Sequence, residues 1–531
     1  MGTGVSASVA MRSSLALTAV LVLLFGAYVL VAQKPGCAEK SHYALVQALA
    51  DGTPAVDGRS VEYCDVSYWH GRYYSNKAPG FAVLALPLYV GLRALDAVPK
   101  DPVRAIWALN IWAAVLPMLG LLFLVARAAE RVEPGSGPLA AVTLGAATLC
   151  LPFATLFFSH VTAAALGFAA FMLLWRERRS PPRSALVLAA GAVAGLSGTV
   201  EYPMALVAVV LGAYAMSRAP SARRAIAFTA GVAAGILPLL VYNRWAFGSF
   251  THLSYRAVVL EPGATGPDVL GAHSKGFFAN GAPSFHTLVS FFVEERGLLV
   301  LTPVVAAGAA GVWLLYRSSF RAEGLVALAT CSLFLLYNAG FDPPNGGPFG
   351  GSAPGPRFLI AMLPFLVFPI GLAYRRAPGA VMALLIVSIG AMAIGTATEP
   401  FLEPGQSIPW LFELRTGQFQ ETLLGWLGAG TSISMLPFFG AIGLAALAGI
   451  LSARSVARPT RADVSASVAA VAAWVMVFFV ARPAHQAGGD VAAVAVIAAG
   501  VTAAVIAARR APRELPAQSP GGAVETPQPV S

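Results

Sequence analysis

The chain has 531 residues, 57% of them hydrophobic and only 11% charged. A soluble domain carries about 25% charged residues, so these charges are too few to cover a water-exposed surface. The net charge of +10 is mostly arginine, set in short clusters between apolar runs. That pattern orients membrane proteins and is not the basic face of a nucleic-acid binder.

In chain order, apolar runs fall near 13–32, 103–126, 138–158, 160–175, 184–200, 203–217, 225–245, 297–316, 323–340, 357–374, 378–397, 432–452, 465–481 and 490–508. Many approach the ~20 residues a helix needs to cross ~30 Å of hydrocarbon. Lipid supplies no hydrogen bonds to backbone, so such runs become helices or closed barrel strands. Barrel strands alternate apolar and polar residues; Leu15–Ala32 and Val381–Ala397 do not. The expectation is an all-α polytopic membrane protein with about fourteen transmembrane helices.

Pro79–Leu95 is ambiguous. If it stays out of the count of full spans, then Arg12, Arg127/Arg131, Arg176/Arg178/Arg179/Arg183, Arg218/Arg223/Arg224, Arg317/Arg321, Arg375/Arg376, Arg454/Arg458/Arg461 and Arg509/Arg510/Arg513 all face the cytoplasm. If it crosses, every cluster after Arg12 flips outward. The positive-inside rule selects the first arrangement, and Pro79 and Pro87 suit a broken interfacial element. Both termini are then cytoplasmic, and the Ala-rich, Lys-poor composition leads us to expect a bacterial plasma membrane. The first run reads as a retained span: it is long for a signal peptide, and no small-x-small cleavage site follows. Residues 1–510 form one transmembrane domain, and 511–531, rich in Pro, Gln, Gly and Ser, read as a disordered cytoplasmic tail.

The polar residues gather in outer loops at 33–101, 247–296, 342–356 and 399–430. Cys37 and Cys64 share the first of these, where the surroundings are oxidising; a disulfide there is expected to stabilise by about 3.5 kcal/mol. Cys150 and Cys331 fall in spans. No outer-loop Cys/His cluster has zinc-like spacing.

Within the first loop, Ser41–Ala50 reads as a short amphipathic helix ended by Asp51-Gly52. Beyond it lie Asp57, Arg59, Glu62, Asp65, His70, Arg72 and Lys77, interleaved with Tyr63, Tyr68, Trp69, Tyr73 and Tyr74. A carboxylate can take a hydroxyl proton, cations can hold a phosphate, and aromatic faces can pack on sugars. A solvated loop with an interfacial aromatic belt is the competing reading.

The segments HYALVQALADGTPAVD and CDVSYWHGRYYSNKAPGFAVLALPLY resemble the first-loop signature of a bacterial branch of the GT-C membrane glycosyltransferases, relatives of the protein-mannosyl and aminoarabinose transferases. FATLFFSH (153–160), TVEYPMAL (199–206), YNRWAFGSF (242–250), ERGLLVLTPV (295–304) and GPRFLIAMLPF (355–365) follow in the same order, so the resemblance covers most of the chain to about residue 375. It implies a GT-C-like fold with juxtamembrane helices in the first outer loop, and transfer of a sugar from a polyprenyl-phosphate donor to an acceptor hydroxyl on the outer face. The product would be a cell-envelope glycan or glycolipid, or a glycosylated protein. Many members carry an Asp-Asp or Asp-Glu pair soon after the first span; here QKPGCAEKSH offers only Glu39.

The candidate base is therefore Asp65, ahead of Asp57 and Glu39. Lys77, Arg72 and Arg357 are candidate donor-phosphate contacts, with headgroup snorkelling as the alternative for the loop pair. Glu201, Tyr202, His160, Tyr73 and Tyr74 are candidate acceptor or sugar contacts, since ionisable groups at membrane depth are costly and often functional. Lys275, His252 and His286 lie in the second outer loop. The resemblance implies a lipid-linked sugar as donor and fixes no cofactor besides it; Asp65 with Glu62 or Asp57 could hold a divalent ion. A lipid or solute transporter, or an inactive GT-C-like scaffold, are the competing functions. Acids avoid the span centres, where transporters tend to place them.

Overall fold

The computed structural model describes residues 2–59, 65–218, 221–259, 281–340, 349–402, 406–461 and 463–510, with side chains undescribed at 2–10, 256–259 and 510. The chain is an all-α multi-pass membrane protein. Eight described helices are long and apolar enough to cross a bilayer, or ten when two sharply bent helix pairs each count as one span. Fourteen spans are not shown, because several expected runs form short helices. Gly137–Ala146, Ser184–Val200 and Tyr202–Arg218 are apolar but only 10–17 residues long, and Phe285–Leu301 meets Val304–Tyr316 at 96°.

Helix α1 (Gly2–Leu30) leads into β1 (Val31–Ala32), and α2 spans Cys37–Ala50. The first loop then folds as a hairpin, β2 (Val66–Trp69) and β3 (Arg72–Ser75), followed by α3 (Gly80–Ala94). Two further short strands complete small sheets. β4 (Val258–Val259) pairs with β2, and β5 (Glu421–Thr422) pairs with β1. The helical expectation holds for the bundle, and among the described residues the strands lie in the connections between helices, where backbone groups can pair across segments.

Helix α2 begins four residues earlier than its amphipathic stretch implies, at Cys37. Glu39 closes a capping box onto Gly36 N. It ends where expected, at Asp51 and Gly52, the latter at φ +73°. At the hairpin tip His70 and Gly71 sit at φ +47° and +81°, the two left-handed positions of a type I′ turn. Helix α3 has 15 residues with Pro87 inside it. At ~1.5 Å per residue it is ~22 Å long, short of ~30 Å of hydrocarbon.

Contacts between turns sort the bundle into two ends. At one end Arg224 and Arg218 pair with Glu177, and Arg131 and Arg179 lie over Trp175. Arg375 reaches Glu133, and Ser13 bonds Glu130. The opposite end holds Gln33 bonded to Thr155 and Thr396, Lys34 N bonded to Gln420, and the described residues of the first loop. Two helices, Ser184–Val200 and Ala222–Phe247, approach closely enough that a Cβ on Gly191 or Gly235 would fall 2.1–2.2 Å from a carbonyl oxygen of the other helix, the small-residue packing expected where lipid gives no hydrophobic drive.

Candidate functional site

The first loop is pinned from below by α2. Ser41 Oγ donates to the Asp65 carbonyl at 2.7 Å and meets Ser75 Oγ at 2.7 Å. Asp65 enters β2 at φ +59°, a left-handed conformation that Asp tolerates better than most residues. That turn presents its carboxylate to the chain leaving β3. Lys77 Nζ lies 3.0 Å from Oδ2, with the lysine 11% exposed, and Asn76 Nδ2 donates to Oδ1 at 3.2 Å.

A second carboxylate comes from the helix ends. Glu201 caps Ser184–Val200, His160 Nδ1 stands 3.1 Å from its Oε1, and Ser159 Oγ donates to the same oxygen. Gly80 sets this spacing: a Cβ there would meet Thr199 O at 2.6 Å, so only glycine lets α3 start against the residues just before Glu201. Arg357 opens the 357–362 turn with its guanidinium 5.4 Å from the Phe158 ring centre and 5.3 Å from that of Phe358. Glu201, His160, Arg357 and Phe358 line a crevice of about 10 Å³, room for about one water.

Burial pushes the Asp65 carboxyl up, but the Lys77 and Arg357 cations and the hydrogen bonds from Lys77 and Asn76 outweigh it and hold it at about 2. The Lys77 ammonium is lowered by burial, with Asp65 opposing and Arg357 adding to the shift. Among the described residues, three buried polar atoms without a hydrogen-bond partner gather here: Asn76 Oδ1, His42 Nδ1 and Arg357 Nε. Buried polar atoms are paired as a rule, so these three are open to a further hydrogen bond.

Glu39 is buried, with Oε2 accepting from Gly36 N at 2.5 Å and Oε1 from Phe157 N at 3.1 Å. Burial lifts its carboxyl to about 8 against those two backbone bonds. Oε2 closes the cap of α2, and Oε1 fastens that helix to the 157 turn. Asp57 and Arg72 are brought together at the hairpin tip: Arg72 Nε donates to Oδ2 at 2.9 Å, and Tyr73 N to Oδ1 at 2.7 Å, with both side chains exposed. Arg72 is three residues from Ser75 along β3, ~10 Å at the usual strand rise. Asp57 and Asp65 therefore lie at opposite ends of the hairpin, and the two do not share an ion; Glu62 lies outside the described residues.

Tyr73 packs on Tyr68, and Tyr74 is buried against Phe247. Tyr202 is buried with its hydroxyl 3.0 Å from Ser254 Oγ, which donates to Asn76 O at 2.8 Å. His252 packs between Trp69 and Phe247, while His286 lies elsewhere, beside His485. Cys37 is disulfide-bonded, and Cys150 and Cys331 are free. Cys64, its expected partner, and Lys275 lie outside the described residues.

Sequence reasoning passed over Ser41, His42 and Asn76. His42 is 1% exposed, edge-on to Phe81 and Phe157 at 5.0 and 6.2 Å. Burial, with Lys77 nearby, drops its imidazole to about 3, so it is neutral. One signal was available: Glu39 and His42 stand three apart on one helix, hence on one face.

No family model matches the chain, and no curated protein matches it. Among solved structures, it aligns with ArnT from Cupriavidus metallidurans bound to undecaprenyl phosphate, at TM-score 0.45 and 15% identity over 96% of this chain and 77% of that one. The apo state of the same protein aligns at TM-score 0.44 and 17% identity, over 93% and 76%. At these values the likeness carries no residue role across.

Proposed function

We propose that the protein is a membrane glycosyltransferase that moves a sugar from a polyprenyl-phosphate donor to an acceptor hydroxyl on the outer face, for envelope glycan or glycolipid assembly. The observation that carries this reading is the Asp65–Lys77 pair, with Arg357 close enough to act on both charges, in a chain whose first loop resembles that of the GT-C transferases.

In the proposed reaction the acceptor oxygen attacks the anomeric carbon. The bond from that carbon to the phosphate oxygen breaks, and Asp65 takes the acceptor proton. Polyprenyl phosphate leaves with one more negative charge, which Lys77 and Arg357 stabilise where it develops. A donor phosphate would compete with Asp65 for both cations, and the carboxylate would gain basicity once the donor is bound. Glu201 and His160 border the crevice and suit the acceptor side. Glu39 and the Asp57–Arg72 pair act as fasteners of the loop. The arginines gathered at the end of the bundle opposite the first loop suit a cytoplasmic face there, with the loop on the outer side.

The test is transfer from a mixed pool of polyprenyl-phosphate sugars by the full chain in liposomes, with Asp65→Asn beside wild type. Wild-type transfer that collapses in the folded variant supports the reading. Donor movement between leaflets without transfer would instead indicate a flippase. Donor binding with neither activity would indicate a scaffold.

A further inference from the structure

A second polar cluster lies outside the proposed glycosyl-transfer site and has no part in it. The helix Phe285–Val293 places His286 one turn before Ser290 and two turns before Glu294. The last hydrophobic hairpin brings His485 and Asp490 against it. His485 is fully buried, and its ring stacks on that of His286 at 4.3 Å. Both Nδ1 atoms turn to one carboxylate: His485 Nδ1 is 2.5 Å and His286 Nδ1 is 3.1 Å from Asp490 Oδ1. The far side of the buried ring is also held, with Nε2 3.0 Å from Ser290 Oγ and 3.3 Å from Glu294 Oε1.

We propose that His286, His485 and Asp490 bind a zinc-type divalent metal ion through two Nδ1 atoms and one carboxylate oxygen. The three ligand atoms lie within 4.8 Å of one another. Zinc–nitrogen bonds of ~2.0–2.1 Å in a tetrahedron separate ligand atoms by ~3.3 Å. The His286–Asp490 spacing already matches this, the His485–Asp490 spacing needs to open by less than an ångström, and the exposed His286 ring has to turn out of its stack on His485 so that both Nδ1 lone pairs meet at the ion. Two imidazoles and a carboxylate are the donor set of a borderline metal rather than calcium or magnesium, which prefer all-oxygen shells. The carboxylate and hydroxyl behind His485 supply what a metal-bound imidazole needs on its other nitrogen: a partner that fixes the tautomer and the ring plane. His286 is the exposed member, so the fourth position opens to water.

The ion would clip three elements, Phe285–Val293, Arg482–Gln486 and Asp490–Arg510. The last helix packs along Asp463–Met476 on one face and leaves most of its other side chains exposed on the outside of the bundle. The role is structural, fastening the C-terminal helix pair to the start of the 285–316 segment.

Full-length protein in detergent, stripped with a chelator and dialysed, is titrated with Zn²⁺ by calorimetry and with Co²⁺ by visible absorption. One ion per chain, a tetrahedral Co²⁺ spectrum and a higher melting temperature with Zn²⁺ are expected. His286→Ala and Asp490→Asn, both at solvent-reachable positions, should each weaken binding at least tenfold. Glu294→Gln, which touches no metal, should weaken it by about tenfold. A wild type without stoichiometric binding, or His286→Ala and Asp490→Asn variants that bind as wild type does, overturns the proposal. Loss of stability in those variants without any metal effect also overturns it, and leaves His485 as a hydrogen-bonded link between Glu294 and Asp490.

Discussion

Lys77 Nζ stands 3.0 Å from Asp65 Oδ2 with the two residues on either side of one hairpin. Removing either partner leaves the other largely buried and uncompensated, which costs more than the pair itself gains. Lys77→Met is expected to destabilise by about 1–3 kcal/mol. The double change Asp65→Asn with Lys77→Met should recover part of that loss, with a coupling of about 0.5–3 kcal/mol. Melting of the four proteins in detergent gives the cycle; strict additivity would mean that the two charges are not coupled. In the transfer assay, Asp65→Asn should fall about 10²–10⁴-fold, the usual contribution of a general base.

Glu39 gives a pH signature with a definite sign. Its carboxyl lies near 8 in the folded chain, raised by burial, against about 4.3 when unfolded. The folded state therefore binds the extra proton, and stability from this group is full below the unfolded value and is lost as pH rises to about 8. His42, held down near 3 by burial, works in the opposite direction below its unfolded value of about 6.5. The difference between wild type and Glu39→Gln isolates the Glu39 contribution. The variant should gain relative stability as pH climbs from 5 to 8; a constant gap across that window would show that Glu39 titrates normally.

The Asp57–Arg72 pair sits at the exposed hairpin tip. Exposed ion pairs contribute about 0–1 kcal/mol, so Arg72→Ala and Asp57→Asn should shift melting slightly and transfer by less than about tenfold. A loss comparable with that of Asp65→Asn would move the proposed phosphate site to the tip.

Gly80→Ala places a methyl 2.6 Å from Thr199 O, a backbone atom that cannot swing aside. The substitution should push α3 away from Val200 and disturb Glu201, lowering transfer and melting temperature together. A variant with unchanged transfer would show that the α3 contact does not position Glu201.

Much of this site could be read in the sequence, because the first loop concentrates its polar residues within about fifty positions. Asp65 and Lys77 fall in one short segment, so a hairpin alone brings them together. Arg357 and Glu201 were singled out only as charges at span ends; nothing local says that they face the hairpin. In the sequence Asp57 stands as a second acid behind Asp65, and Arg72 stands beside Lys77 as a cation. The two-residue turn at His70-Gly71 separates them, since it sends Arg72 to the tip and Lys77 to the base. Glu39 looked like a replacement acid, but both its oxygens are taken by backbone N–H groups of Gly36 and Phe157. The second of those partners lies 118 positions away.

The sequence by itself determined that this is a multi-pass membrane protein with its polar residues concentrated in a few loops. Hydrocarbon excludes charge from long runs, and that exclusion is written residue by residue. Tertiary structure alone decided which charges meet. His286 and Asp490 are 204 positions apart, and no spacing rule reaches that far. Their encounter depends on how the last helices pack on the bundle, as does the meeting of Arg357 with Asp65 and Lys77.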